Sequence, residues 1–200
     1  MSGSGSSAGA PEEDASAAVT DEALMHAWRD GDADAFDALY ARHRAALWRY
    51  ASNRTADESG ARELFQDVWM RVVRARASYA PDAPFRAWLY RIAGNLAVDR
   101  FRRAPTHPHE TFDERTMSTV TEIAPPLSPD EVHRLAERGD ALRGALARLP
   151  DEQREAIVLQ HVAGMSLAEI AEVTGEAAET VKSRLRYAKT KLRRLLRAPA

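Results

Sequence analysis

Large apolar side chains in this chain recur at spacings of three and four, and nowhere do they alternate with polar ones along a strand's length. Phe36, Leu39, Tyr40, Leu47 and Tyr50 form one series, with His43 in register. Ala61, Leu64, Phe65, Val68, Trp69 and Val72 form a second, and Phe85, Trp88, Leu89, Ile92 and Leu96 a third. Each series falls on one side of an α-helix, whereas a strand facing a core needs a period of two. The pattern therefore predicts an all-α fold.

Breaks in the pattern divide the chain. Gly31 interrupts it before the first long helix, and Pro81 and Pro84 mark a loop before the last helix of the first block. Residues 20–103 read as a small bundle of three or four helices. Five of the ten prolines (Pro105, Pro108, Pro125, Pro126 and Pro129) fall in residues 104–137, which read as an extended linker. Residues 138–197 are helical again. Pro150 stands where a helix starts and Gly164 where it ends. Ser166 and Glu169 have capping-box spacing and open a short helix over 167–174. Gly175 follows at a turn. The last helix, 179–197, carries Val181, Leu185, Ala188, Leu192 and Leu195 on one side. Two small helical domains joined by a flexible linker is the expected architecture. Residues 1–18 are small, polar and acidic, a composition that stays disordered.

Charge is distributed unevenly although the formal net is only −2. Residues 1–25 carry five acidic side chains and no Lys or Arg, whereas residues 177–200 carry eight basic ones against Glu179 alone. Such a basic end suits a polyanion; a solvated helix face is the other reading. No cysteine is present, which excludes disulfides, thiolate metal sites and cysteine nucleophiles. No apolar run reaches the ~18 residues of a membrane span, so no membrane role is expected. Residues 1–10 lack the basic and apolar regions of a secretory signal, so the cytoplasm is the expected compartment.

A short helix, a glycine turn and a long basic helix, the arrangement of a helix-turn-helix within about twenty residues, would place the second helix in the major groove. Its outer face carries Lys182, Arg186 and Lys189, with Ser183 and Arg184 beside them and Glu179 and Thr180 at the leading end. In the first block, the helix from Phe85 mixes Trp88, Tyr90 and Phe101 with Arg86, Arg91, Arg100, Arg102 and Arg103. Aromatic faces and cations suit single-stranded nucleic acid, since bases stack and phosphates pair. Core packing explains Phe85, Trp88 and Leu89 equally well, but Tyr90, Arg91 and Asn95 leave the apolar stripe. No phosphate-binding loop, nucleophile elbow or zinc-protease helix is present, so no catalytic residue and no cofactor is expected. His107, His109 and Glu110 lie between prolines without a supporting helix, and solvated side chains explain them better than a metal site. Asp57, Glu58, Glu63 and Asp67 read as an exposed helix face.

Taken together, ELFQDVWMRV (63–72), FRAWLYRIAGNLAVDRFRR (85–103), LPDEQREAIVL (149–159) and SLAEIAEVTGEAAETVKSRLRYAKTKL (166–192) resemble bacterial RNA polymerase sigma factors of the extracytoplasmic-function group (group IV) of the sigma-70 family. The four segments occur in the family's order. The resemblance implies a region 2 over 20–103, which binds core polymerase and the −10 promoter element, and a region 4 over 138–197, which reads the −35 element. It implies contacts to the β′ clamp and β flap of core polymerase and to promoter DNA. Regulation by an anti-sigma factor is common in the group. Carried over by position, the core-binding residues are Glu63, Leu64, Gln66, Asp67, Met70 and Arg71. The −10 residues are Phe85, Arg86, Trp88, Tyr90, Arg91, Asn95 and Arg100, with Asn95 at the polar position that reads an extruded base. The −35 residues are Glu179, Thr180, Lys182, Ser183, Arg184, Arg186, Tyr187 and Lys189.

Three departures stand out. Gly60, Ala61, Arg62 and Glu63 occupy the place of an acidic D-A-E-D run. Ala177 replaces the proline before the reading helix. Tyr187 and Lys189 replace arginines. A helix-turn-helix regulator that binds an operator without core polymerase is the alternative reading.

Overall fold

The structure, a computed structural model, describes residues 19–79, 84–103 and 129–197. The expected acidic tail, the loop 80–83 and most of the expected linker lie outside the described residues. Among those described, all regular structure is helical.

The first module holds α1 (Asp21–Arg29), α2 (Ala33–Arg54), α3 (Glu58–Ala75), a 3₁₀ turn (Arg76–Ser78) and α4 (Phe85–Arg103). Short polar side chains start the first three helices. Thr20 accepts from the Ala23 N–H, Asp32 from Asp34 and Ala35, and Asp57 from Gly60 at 2.7 Å. The N-terminus of α4 is held differently: its Phe85 N–H donates to Glu22 Oε1 of α1, 2.7 Å away. Gly31, at φ +117°, makes the bend between α1 and α2 that an L side chain resists. The three apolar series fill the core. Leu39, Leu47, Tyr50, Leu64, Val68, Val72, Phe85 and Leu89 are buried, and Trp28, Phe36, Tyr40 and Trp69 pack beside them with centroids 4.6 to 6.2 Å apart. Helix α1 escaped the periodicity reading because it is short; it contributes Met25 and Trp28.

The second module holds α5 (Pro129–Ala147), α6 (Asp151–His161), α7 (Leu167–Thr174) and α8 (Ala178–Arg197). Residues 129–137, expected as linker, belong to α5. Pro129 opens that helix rather than breaking it, because the first helical position needs no N–H. Pro150 caps α6, and the reciprocal Ser166–Glu169 capping box is present. Gly175, at φ +68°, ends α7 in the left-handed region.

The two modules pack on each other, α6 against α2 and α7 against α4. One continuous apolar cluster runs through both.

Candidate nucleic-acid interface

Helix α8 is seated by Val181, Leu185 and Ala188, which are buried against α6 and α7. That seating turns Lys182, Arg186 and Tyr187 to the surface, with Lys189 half-buried beside them. Tyr187 is 55% exposed, and the Arg186 guanidinium lies 5.0 Å over its ring. Lys182 pairs with Glu179 at 3.2 Å. Arg184 is turned back to Glu176 at 2.9 Å, so it braces the turn rather than facing outward. Thr180 and Ser183 are half-buried. Between α6, α7 and α8 runs a groove of about 450 Å³ with Leu167 and Leu185 in its floor and Lys182, Arg186, Lys189 and Arg193 along it. An exposed row of cations on the second helix of a helix-turn-helix can pair with phosphates and with guanine edges.

Helix α4 presents three faces. Phe85, Leu89 and Ala93 enter the core. Trp88, Arg91 and Asn95, at positions i, i+3 and i+7, run along an accessible edge; Arg91 and Asn95 are exposed, and Trp88 packs edge-on against Tyr79 at 5.0 Å. Arg86, Tyr90 and Gly94 form the third face, which meets the second module. Tyr90 shares this face by its spacing, but the ring it packs on belongs to its own module. It is only 1% exposed, stacks on Tyr50 at 5.2 Å, and its hydroxyl has no protein partner. Burial pushes its phenol up to about 12. Phe85 and Tyr90, both expected at DNA, are therefore covered in this arrangement.

Arg100, also expected at DNA, donates to Asp67 at 2.7 Å and pairs with Glu63. The expected core-binding and −10 sets are thus joined by ion pairs. On α3, Glu63, Gln66, Asp67 and Arg71 are exposed and Met70 is 49% exposed. Leu64 is fully buried, placed in the core by its position in the apolar series. Val73, 43% exposed and one turn beyond Met70, extends this surface. An apolar residue off the helix's buried stripe was the available signal for it. At the substituted acidic run, Arg62 folds back on Glu58 at 2.5 Å.

Sequence reasoning missed a cluster at the module junction. Arg42 and His43 of α2 hold Asp21 of α1, the latter through His43 Nε2 at 2.6 Å. Burial lowers the His43 pKa, outweighing the nearby Asp21 carboxylate. With Glu22, Arg86, Tyr90, Ala163 and Glu169 they line a cavity of about 470 Å³. Among the described residues, no three His, Asp or Glu side chains are gathered to hold a metal, and no helix is long and apolar enough to cross a membrane. His107, His109 and Glu110 lie outside the described residues.

Comparison with known proteins matches residues 39–105 to sigma-70 region 2 and residues 139–192 to sigma-70 region 4. The ECF RNA polymerase sigma factor SigM of Mycobacterium tuberculosis is 36% identical over 177 residues, covering 88% of this chain and 85% of the relative. The structure of CnrH in complex with the cytosolic domain of CnrY superposes with a TM-score of 0.67 at 29% identity, covering 90% of this chain and 99% of that one. The sigma factor RpoE in complex with the anti-sigma factor NepR from Bartonella quintana shares the fold, with a TM-score of 0.64 at 22% identity over 82% of this chain and 98% of that one.

Proposed function

Because the chain belongs to the extracytoplasmic-function sigma factors of the sigma-70 family, which act in promoter-specific transcription, we propose a division of labour between its two modules. The exposed face of α3 (Glu63, Gln66, Asp67, Met70, Val73 and Arg71) docks on the β′ clamp of core polymerase. The accessible edge of α4, Trp88, Arg91 and Asn95, takes unpaired −10 bases, with Arg86, Tyr90 and Arg100 joining once their present partners release them. The outer face of α8 reads the −35 duplex through Lys182, Arg186, Tyr187 and Lys189, and its module rests on the β flap.

The observation that supports this most is the exposed cation row of α8, carried on a helix-turn-helix within the stretch that matches region 4. One module holding duplex and another favouring melted strands makes the open promoter the better-bound state, so binding helps open the DNA. Sigma factors are regulatory proteins; here polymerase performs the chemistry, and the protein works where polymerase does, in the cytoplasm. An anti-sigma factor is a fitting partner, since neighbours of the same fold are held in such complexes.

The test is gel filtration of the purified chain with core RNA polymerase, followed by selection of promoter sequences from a random pool by the complex. One-to-one co-elution and enrichment of a two-part motif are expected. A chain that binds duplex DNA specifically yet never co-elutes with core would establish the operator-binding alternative.

A further inference from the structure

Pro84 stands where the cap of α4 would. Its carbonyl accepts the Trp88 N–H at 3.1 Å, but proline carries no side-chain acceptor for the free N–H groups that open a helix. The Phe85 N–H finds one on α1 instead: Glu22 Oε1, 63 positions away in sequence and 2.7 Å away in space. The residue beside Glu22 ties the same turn of α1 to α2. Asp21 is held by Arg42 and by His43 Nε2 at 2.6 Å, and Arg42 also donates to the Val19 carbonyl at 3.0 Å. The His43 ring lies 5.3 Å from that of Phe85. One turn beyond Glu22, His26 meets Tyr79 edge-on with centroids 6.2 Å apart, and Tyr79 packs on Trp88 at 5.0 Å. Helix α1 thus reaches the first turn of α4 through a carboxylate and through a chain of rings that ends at Trp88.

We propose that Glu22 is a positioning residue for −10 recognition: it caps α4 from outside that helix and so fixes how Trp88 meets an unpaired base. Three observations carry this. First, the bond lies at the turn that matters to the reading edge. The Trp88 N–H closes the same first turn whose leading N–H Glu22 satisfies, so a frayed turn takes Trp88 with it, whereas Arg91 and Asn95 lie further along the helix. Second, the acceptor suits the task. A carboxylate at the positive end of a helix makes a charge-assisted bond, stronger than a neutral cap, and the grip of Arg42 and His43 on Asp21 sets where the neighbouring carboxylate stands. Third, α1 does not need Glu22 to hold its own place. Met25 and Trp28 bury it in the core and Thr20 caps it. The match to region 2 begins at residue 39, inside α2, so the residues assigned to DNA by resemblance do not include Glu22.

What α4 reads rests on the sigma-factor reading; the cap itself does not. Glu22→Ala and Glu22→Gln in the full chain test both, since glutamine keeps an acceptor oxygen at the same reach and drops the charge. Amide hydrogen exchange of the free chain reads the cap. The Phe85 N–H should be protected in the wild type and should exchange about fivefold faster in Glu22→Ala, with glutamine recovering most of the protection. A wild-type chain with no protection at Phe85 overturns the proposal, and this arm needs no variant to fold. Each chain is then assembled with core polymerase. Binding is measured to a single-stranded −10 oligonucleotide, taken from the sequences that the wild-type complex selects, and to the matching −35 duplex. Glu22→Ala should bind the single strand about threefold to tenfold more weakly, with a flattened base preference, while core and −35 affinities stay within about twofold. Glu22→Gln should return most of the loss. Equal losses on single strand, duplex and core would mark a general fault in folding and overturn the positioning role. So would a Glu22→Ala complex with wild-type −10 affinity and preference, or a Glu22→Gln complex as impaired as Glu22→Ala. A wild-type chain that shows the cap by exchange yet never binds core removes the sigma-factor reading, and the −10 role with it.

Discussion

Leu185 and Arg186 are neighbours with opposite surroundings. Leu185 is buried between α8 and the helices beneath it, and Arg186 is exposed. Leu185→Ala removes buried methyl groups and leaves a cavity, which should cost ~2–5 kcal/mol of stability in the second module. Arg186→Ala touches no core contact, and its effect on stability should stay within about 0.5 kcal/mol. Its loss should instead weaken −35 duplex binding by ~1–3 kcal/mol if the fork reads a base edge. That is roughly fivefold to over a hundredfold in Kd. Urea unfolding and DNA titration of the two variants separate the effects. Undiminished affinity and promoter preference in Arg186→Ala would show that the reading face of α8 is turned elsewhere. The two positions, buried and exposed, were legible in the sequence because a helix's period alone assigns Leu185 to the inner stripe and Arg186 to the outer one. Tyr90 was not legible in the same way. Its departure from the stripe of α4 was plain, but the sequence offered no means of telling a base from the Tyr50 ring of the same module as the thing it stacks on.

At the scale of elements, local chemistry decides most boundaries. The Ser166 hydroxyl accepts from the Glu169 N–H and donates to Glu169 Oε2 at 2.7 Å, while the Ser166 N–H reaches the same oxygen at 2.8 Å. Helix α7 is eight residues long, too short to stand without its ends being satisfied. Ser166→Ala should therefore lower second-module stability by about 1 kcal/mol, and Ser166→Asp should restore most of it. Unfolding midpoints identical for all three would mean that tertiary packing alone sets this helix. The extent of α7 was readable to the residue because cap, box and glycine stop are all encoded within ten positions. The start of α5 was not. Proline-rich composition argued for linker through residue 137, yet a proline at a first helical position is permissive, and the helix starts at Pro129. Helix α1 lacked a long apolar series but gains its place through Asp21 and Glu22, which bind α2 and α4 rather than anything near in sequence.

At the scale of the whole molecule, the docking of the two modules was invisible to sequence reasoning. Arg54 and Asp151 stand 97 positions apart, and each looks like an ordinary surface charge on its own helix. Their pairing has a pH consequence that tests the closed form independently of any polymerase. Burial raises the pKa of Glu169, but the hydrogen bonds from Arg86 and Ser166 outweigh it and bring the carboxyl down to about 2, from an ordinary value of 4.5. Asp151 is likewise raised by burial and lowered further by Arg54 and Arg154, for a net decrease. A carboxylate with a depressed pKa stabilises the state that depresses it at all pH values above its free pKa. That stabilisation is lost as pH falls toward the depressed value. Ser166 belongs to the same module as Glu169, so only the Arg86 share bears on how the modules hold together. In a chain labelled through Ser59→Cys and Ala178→Cys, one on each module, energy transfer should accordingly hold near neutrality and fall progressively below about pH 4.5, before helical circular dichroism is lost. His43, Arg42, Asp21 and Glu22 line the cavity that Glu169 faces. Protonation of His43 would add positive charge beside Arg86 at pH values below 6.5, and a His43→Gln version of the labelled chain separates that effect from the carboxylates. A wild-type chain that keeps its closed energy transfer down to pH 3 with its helices intact would show that the apolar cluster, not the ion pairs, holds the modules together.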